Sequence, residues 1–551
     1  MGFAWSQATT ANFSSCRCFP GDSCWPAPSV WNDFNATVGG KLIATVPLAT
    51  PCHSMTFNQA ECDAIRAKWT VPTTHTETSS SIMAPWFANQ SCEAFLPPTS
   101  QCVIGAYVQY AVDAHEASNY QATINFAKKH NIRLVIRNTG HDWLGKSTGA
   151  GAIAIWTHHM KDTEVLDYES DGYSGKALKV GAGVQFMDAF KAAHDAGLVT
   201  VGGTCPTVGM AGGYTQGGGH GLSVSKFGLG ADQALEWEVV TADGEILTAS
   251  PDENADLYWA LSGGGGGTYA AVLSLTVKAH PDGLTAGANL TFSAAGISQD
   301  KFFDGIEAYI SGLPKVLDAG ATSTWLNNND TFILSPAVGV GMSKKKLDAL
   351  HQPVLDKLKK LGINYTYYSA DFPSFLAMYK AMNPETATAT FQIGSRLIPR
   401  TVITTKTHAF RKALQNIAGY GTWISGVSFN VSKTPHVPNA AFHAWRESLV
   451  SLVVGTFYDY QSREKNIVNQ KLMTNTIVPH LSSLIPGGGY AYLNEGDPWE
   501  PKWQQVFYGE NYGRLSFIKR KYDPDDLFYT WTGVGSERWK QAADLRLCKA
   551  H

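Results

Sequence analysis

Between residues 105 and 280 the spacing of apolar positions switches repeatedly between the helical period of 3.6 and the strand period of 2. Tyr120 to His130 has helical spacing, and Ile132-Arg133-Leu134-Val135-Ile136 reads as a strand. Gly151-Ala152-Ile153-Ala154-Ile155-Trp156 reads as another, and Leu178-Lys179-Val180 leads into a helix from Gln185 to Ala196. Glu236 to Thr241 and Asp243 to Leu247 predict two strands around an Asp-Gly turn. Residues 1–105 show weak periodicity and much Cys, Pro, Ser and Thr, so an irregular region is expected there. From 286 to 489, helical stretches such as 344–361 alternate with strands such as Thr422 to Phe429, which predicts a second, α+β domain. The last sixty residues are rich in Tyr and Trp and read as aromatic loops. The expected division is 1–105, 106–285, 286–489 and 490–551, with no internal repeat.

Composition narrows the class. The chain has 551 residues, 44% of them hydrophobic, enough for two to four domains' worth of core. Charged residues are only 16% and net charge is −3, which draws the chain neither to nucleic acid nor to an anionic membrane. No apolar run approaches the roughly 20 residues that span a bilayer. Lys344-Lys345-Lys346 reads as a solvated helix start.

Seven of nine cysteines lie in the first fifth of the chain. Cys16-Arg17-Cys18 with Cys24 lacks the partner pair of a zinc site, so no metal is expected. Asn-x-Ser/Thr sequons start at Asn12, Asn35, Asn89, Asn289, Asn329, Asn364 and Asn430. Together these predict a secreted chain carrying N-glycans. The opening Met1-Gly2-Phe3-Ala4-Trp5-Ser6 fits a myristoylation pattern. The sequons and cysteines instead favour a mature secreted chain behind an added start methionine. If Cys205 is kept for chemistry, eight cysteines remain for four disulfides, whose pairing cannot be read from spacing.

Three motif matches fail on context. Gly140 to Ser147 satisfies the P-loop pattern, but an apolar strand follows where a phosphate-binding helix is required. Gly145-Lys146-Ser147-Thr148-Gly149 matches a hydrolase elbow and lacks the same helix. Gly181-Ala182-Gly183 lacks the third glycine of a dinucleotide fingerprint. What survives is an imidazole, His141, in Arg137-Asn138-Thr139-Gly140-His141-Asp142, and a thiol, Cys205, in Val201-Gly202-Gly203-Thr204-Cys205-Pro206-Thr207-Val208-Gly209. Both sit in glycine-rich turns beside strands, where backbone N–H groups form nests suited to a pyrophosphate.

These loops resemble the vanillyl-alcohol-oxidase (PCMH-type) flavoprotein family, closest to its berberine-bridge-enzyme-like branch and to secreted fungal isoamyl alcohol oxidases. Ala211 to Gly221, Phe227 to Gln233, Asp256 to Leu261, Tyr490 to Asn494 and Gly509 to Pro524 carry the resemblance further. It implies an α+β fold: a PCMH-type FAD-binding domain, a substrate domain with an antiparallel sheet, and a C-terminal segment returning to cover the cofactor. It implies FAD bonded through His141 at the flavin 8α-methyl and through Cys205 at C6. It implies further FAD contacts from Arg137, Asn138, Thr139, Gly140, Asp142, Gly145, Gly202, Gly203, Thr204 and Gly209. Gly212, Gly213, Gly218, Gly219, His220, Gly221, Val239 and Asn511 complete that set.

The implied reaction moves a hydride from a C–H beside O or N to flavin N5, with dioxygen as the acceptor that yields hydrogen peroxide. Val208, three residues after the linked Cys, matches the family's oxygen gate and implies an oxidase. Trp143 stands where many relatives have a Tyr, so that Tyr role does not carry over and a flat pocket wall is expected. Tyr492 and Glu495 are the candidate bases. The expected substrate is an alcohol or a secondary metabolite, with a carbohydrate oxidase as the alternative. A monomer is expected.

Overall fold

The computed structural model describes residues 15–384, 387–435 and 437–550. The sequon at Asn12 and the Met1 to Ser6 pattern lie outside them. Among the described residues no helix is long and apolar enough to cross a membrane.

The first domain is built mainly on two sheets. In one, Leu134–Arg137 and Tyr110–Asp113 flank Ile153–Trp156 in parallel, and Leu42–Ala44 joins antiparallel. Helix Ala117–Lys129 makes the crossover that parallel neighbours require, burying Tyr120, Thr123, Ile124 and Ala127 at helical spacing. The other sheet is antiparallel, with Thr163–Ser170, Tyr173–Gly181, Ala271–Lys278, Ala234–Val240 and Ile246–Ala249 in that spatial order. Helix Phe186–Asp195 packs Phe186 and Phe190 into the core that these strands share with the glycine loops.

The second domain is built on a seven-stranded antiparallel sheet. Its order is Tyr365–Phe372, Thr285–Ser293, Thr331–Val340, Thr322–Asn327, Trp423–Ser428, Ser448–Phe457, Phe391–Pro399. Successive side chains alternate faces. Trp325, Ile424, Leu452 and Val454 point into a core closed by helices Gln299–Asp318, Lys344–Lys360 and Thr407–Ala418. Thr324, Leu326, Ser425, Val427, Ser451 and Val453 face the opposite way, into a cavity. A slip of one residue would turn the cavity wall into the core, so the apolar face fixes the register. Helix Lys344–Lys360 begins at the lysine run, with Ser343 accepting from Lys346 N.

Two expectations need correction. The N-terminal region is not irregular throughout: it contains helices Pro28–Thr37, Gln59–Ala67 and Pro72–Thr76, two of them opened by a proline that suits the first helical turn. The C-terminal stretch is not only loops: Trp503–Tyr508 and Tyr512–Tyr522 are helices. The chain then runs back so that Phe528 bridges Leu134 in parallel. The disulfides are Cys16–Cys548, Cys18–Cys24, Cys52–Cys62 and Cys92–Cys102. Cys205 is free and buried.

Candidate active site

A cavity of about 570 Å³ lies between the glycine loops of the first domain and the outward face of the seven-stranded sheet. Tyr492, Asn494, Glu495 and Thr530 close it from the C-terminal segment. Of the residues singled out in the sequence, Asn138, Thr139, Gly140, His141, Asp142, Trp143, Gly203, Thr204, Cys205, Val208, Gly209, Gly212, Gly213, His220, Tyr492 and Glu495 line it.

The first loop follows strand Leu134–Arg137. Asp142 shapes it, accepting from Leu144 N at 3.0 Å, Ser147 N at 2.7 Å and Ser147 Oγ at 3.1 Å. Those amides are the ones a P-loop would offer to phosphate, so the turn is already filled by its own carboxylate. Arg137 lies behind the loop, its guanidinium donating to the carbonyls of His75 at 3.2 Å and Thr78 at 3.1 Å. Gly140 has φ +82°, and a Cβ there would sit 2.6 Å from Arg137 Nη2. Burial, with the Arg137 charge nearby, pulls His141 down to about 4, so the imidazole is neutral.

The second loop brings Cys205 Sγ to 3.7 Å from His141 Nε2. Thr207 Oγ1 lies 2.6 Å from that same nitrogen and 3.4 Å from Sγ. The loop backbone is held from both domains. Met187 N donates to Pro206 O at 3.0 Å and Gln185 Nε2 to Thr207 O at 2.8 Å. From helix Phe375–Met382 and its end, Tyr379 OH at 2.7 Å and Asn383 Nδ2 at 2.6 Å both donate to Thr204 O.

The third wall is glycine. A Cβ on Gly212 would meet nothing within 4 Å, whereas one on Gly266 would lie 3.0 Å from Gly213 Cα. The two glycine runs therefore touch each other and leave an open cradle. Five buried polar atoms around the cavity have no hydrogen-bond partner among the described residues: Tyr214 OH, Gln216 Oε1, His220 Nδ1, Thr324 Oγ1 and Thr530 Oγ1. Buried polar groups are rarely left unpaired, so these suit a large ligand with a polar edge.

At the substrate-domain side, His220 Nε2 lies 3.0 Å from Glu495 Oε2, and Ser451 Oγ donates to the same oxygen at 3.4 Å. Tyr492 OH accepts from Asn494 Nδ2 at 2.7 Å; burial, with Glu495 nearby, holds the phenol well above its usual range. Lys146 points inward, Nζ donating to Leu493 O at 3.1 Å, and burial lowers it to about 8 against the pull of Asp142.

Eight singled-out residues do not reach the cavity wall. These are Arg137, already placed, with Gly145, Gly202, Gly218, Gly219, Gly221, Val239 and Asn511. The five glycines serve packing behind the wall; a Cβ on Gly221 would fall 1.9 Å from Gly202 O. Val239 is buried in strand Ala234–Val240, and Asn511 Nδ2 donates to Ala440 O at 3.1 Å. Conversely, sequence reasoning passed over Lys146, Gln216, Asn383 and Ser451. Lys146 stood inside the discarded P-loop match and Gln216 inside the Ala211 to Gly221 stretch that carries the resemblance; Asn383 and Ser451 had no linear signal.

A family model described as an FAD binding domain matches residues 108–250, and one described as berberine and berberine like matches 491–535. The chain is 48% identical over 545 residues to the FAD-linked oxidoreductase sor8 of Hypocrea jecorina, covering 99% of this chain and 95% of that one. It is similar to the crystal structure of the VAO-type flavoprotein MtVAO615 from Myceliophthora thermophila C1, with TM-score 0.93 and 39% identity over 97% of this chain and 100% of the other. At 20% identity it shares its fold with the glucooligosaccharide oxidase of Acremonium strictum, TM-score 0.63, covering 78% and 91% of the two chains. That protein carries a 6-S-cysteinyl, 8α-N1-histidyl FAD.

Proposed function

This chain belongs to the VAO-type, berberine-bridge-like FAD-linked oxidoreductases, and we propose that within that family it is a secreted oxidase whose FAD is bonded to both His141 and Cys205. The observation that carries this reading is the approach of Cys205 Sγ to His141 Nε2, 3.7 Å apart on the wall of a glycine-lined cavity. The open cradle at Gly212 and the unpartnered polar atoms fit the cofactor's flat ring and polar edge. Bound FAD would supply a hydride acceptor for substrate carbon and a route for the electrons to dioxygen, which would give hydrogen peroxide.

The chain's own groups supply the rest. Glu495 takes the substrate hydroxyl proton at Oε2, and His220 and Ser451 fix the orientation of that oxygen. Tyr492 stays protonated and is the poorer base. Trp143 forms a wall, and Val208 stands beside Cys205 as the oxygen gate. The outward face of the seven-stranded sheet offers Leu326, Phe391, Ile393, Trp423, Val427 and Val453, with the hydroxyls of Thr324, Ser425 and Ser451 among them. Such a wall selects a neutral, largely apolar alcohol or secondary metabolite. A second reading, an oligosaccharide oxidase, draws on the stacked pair Phe391–Trp423 on the cavity lining, ring centroids 5.1 Å apart.

The secreted setting is consistent with the four disulfides, and Asn364 is an exposed sequon able to carry an N-glycan. The enzyme is taken to act as a monomer. Peroxide release across alcohols, phenols and oligosaccharides separates the two substrate readings: response to sugars alone refutes the first. Acid-precipitated protein should retain yellow flavin. Cys205→Ala and His141→Ala should each keep one bond, and only the double variant should release FAD. Colourless precipitate from the wild type would overturn the bicovalent reading.

A further inference from the structure

The Thr207 hydroxyl touches both His141 and Cys205. Its backbone needs no help from that hydroxyl. Gln185 Nε2 holds Thr207 O, Met187 N holds Pro206 O, and Phe186 N holds Val208 O at 3.0 Å. The side chain is therefore spare for other work, and it is spent on two reactive atoms, Nε2 at 2.6 Å and Sγ at 3.4 Å.

We propose that Thr207 is a positioning residue for both covalent attachments, its single hydroxyl fixing the tautomer of His141 and the direction of the Cys205 thiol together. The inference rests on the bicovalent reading above. A hydroxyl has one proton and can accept as well as donate. If Oγ1 accepts from Nε2–H, the Thr207 proton points at Sγ, and the lone pair of the neutral imidazole lies on Nδ1. No protein partner of Nδ1 is found among the described residues, and His141 lines the cavity, so that lone pair is available to the cofactor. If Oγ1 instead donates to Nε2, the proton sits on Nδ1 and the ring has no free lone pair. Only the first arrangement leaves a nucleophilic nitrogen.

Without the hydroxyl, the remaining contact is between the two nucleophiles themselves, at 3.7 Å. Thiol and imidazole would then satisfy each other rather than face the cofactor. Each attachment replaces one hydrogen of the isoalloxazine and one proton of the residue, leaving from Nε2 or from Sγ. The two electrons released per bond reduce one dioxygen to hydrogen peroxide. Thr207 takes no electrons and forms no bond in this process.

The test uses purified holoprotein of the wild type, Thr207→Val, Thr207→Ala and Thr207→Ser. Each is precipitated with acid, digested, and analysed by mass spectrometry for a flavin-bridged pair of peptides containing residues 141 and 205. The wild type and Thr207→Ser should give the bridged pair, while Thr207→Val and Thr207→Ala should lose it and release flavin into the acid supernatant. Thr207→Val keeps the shape of threonine, and Thr207→Ala carries the same expectation if the valine variant does not accumulate. A bridged pair at wild-type yield in the valine or alanine variant overturns the proposal. So does loss of the pair in Thr207→Ser as well, because a purely steric role would then explain it. Absence of the pair in the wild type overturns the bicovalent reading itself.

Discussion

Lys519→Met should loosen the whole cofactor side of the molecule. Lys519 and Asp523 are 1% and 0% exposed and pair one helical turn apart. The ammonium also donates to Thr268 O and Phe528 O, each at 2.8 Å. Thr268 ends the glycine run that touches Gly213, and Phe528 bridges Leu134, so one side chain ties the C-terminal segment to both. Asp523 in turn accepts from Leu527 N and Phe528 N at 2.8 Å. Methionine keeps the length of the lysine but strands the carboxylate and two carbonyls. Removing one partner of a buried pair costs about 3–5 kcal/mol, and each orphaned carbonyl adds about 1 kcal/mol or more. At roughly 2–4 °C per kcal/mol for domains of this size, the thermal midpoint should fall by on the order of 10 °C or more. Tryptophan fluorescence reports the unfolding and flavin fluorescence reports exposure of the cofactor, and both should shift together. Lys519→Met with Asp523→Asn should recover part of the loss, since the stranded charge is gone. A shift of less than about 2 °C, within the worth of one kcal/mol, refutes the reasoning. A double variant as unstable as the single would refute the charge argument in particular.

Three other outcomes are expected. Glu495→Gln should lower kcat by about 10²–10⁴-fold while flavin content stays at the wild-type level, measured by rapid-mixing reduction of the flavin. Burial raises Glu93 from an ordinary 4.5 to about 8, so its neutral form stabilises the fold fully below pH 4.5 and that contribution is lost as pH rises through about 8. Wild-type stability in denaturant titrations should therefore fall across that window by up to about 1.4 kcal/mol per pH unit, and Glu93→Gln should remove the slope. Val208→Leu should slow reoxidation of the reduced flavin by dioxygen in stopped-flow traces, with little effect on reduction by substrate.

The parts legible in the sequence are those where one short segment carries the whole signal. Helix Ala117–Lys129 and strand Ile153–Trp156 show clean periodicity, and the loops of His141 and Cys205 are linear motifs. Helix Tyr512–Tyr522 was hidden because its buried face includes Lys519 beside Leu515 and Ile518, and a buried lysine breaks the apolar pattern. The glycines of the motif could not be sorted either. Gly212 opens on the cavity while Gly221 packs against Gly202, and only tertiary structure separates the two uses. The contact between His220 and Glu495 spans 275 residues, and Ser451 comes from a third segment, so no spacing along the chain announces it.

The return of the chain to its own beginning has a consequence in time. Tyr492, Glu495 and Thr530 close the cavity, Phe528 bridges Leu134, and Cys548 meets Cys16. A ribosome adds residues from the N-terminus onward, so these pieces emerge after both nucleophile loops. A growing chain that already displays His141 and Cys205 still has no roof over them. The chamber around the two nucleophiles therefore cannot close until the segment from Tyr492 to Thr530 has been made, and a chain stopped before Tyr492 would lack its roof.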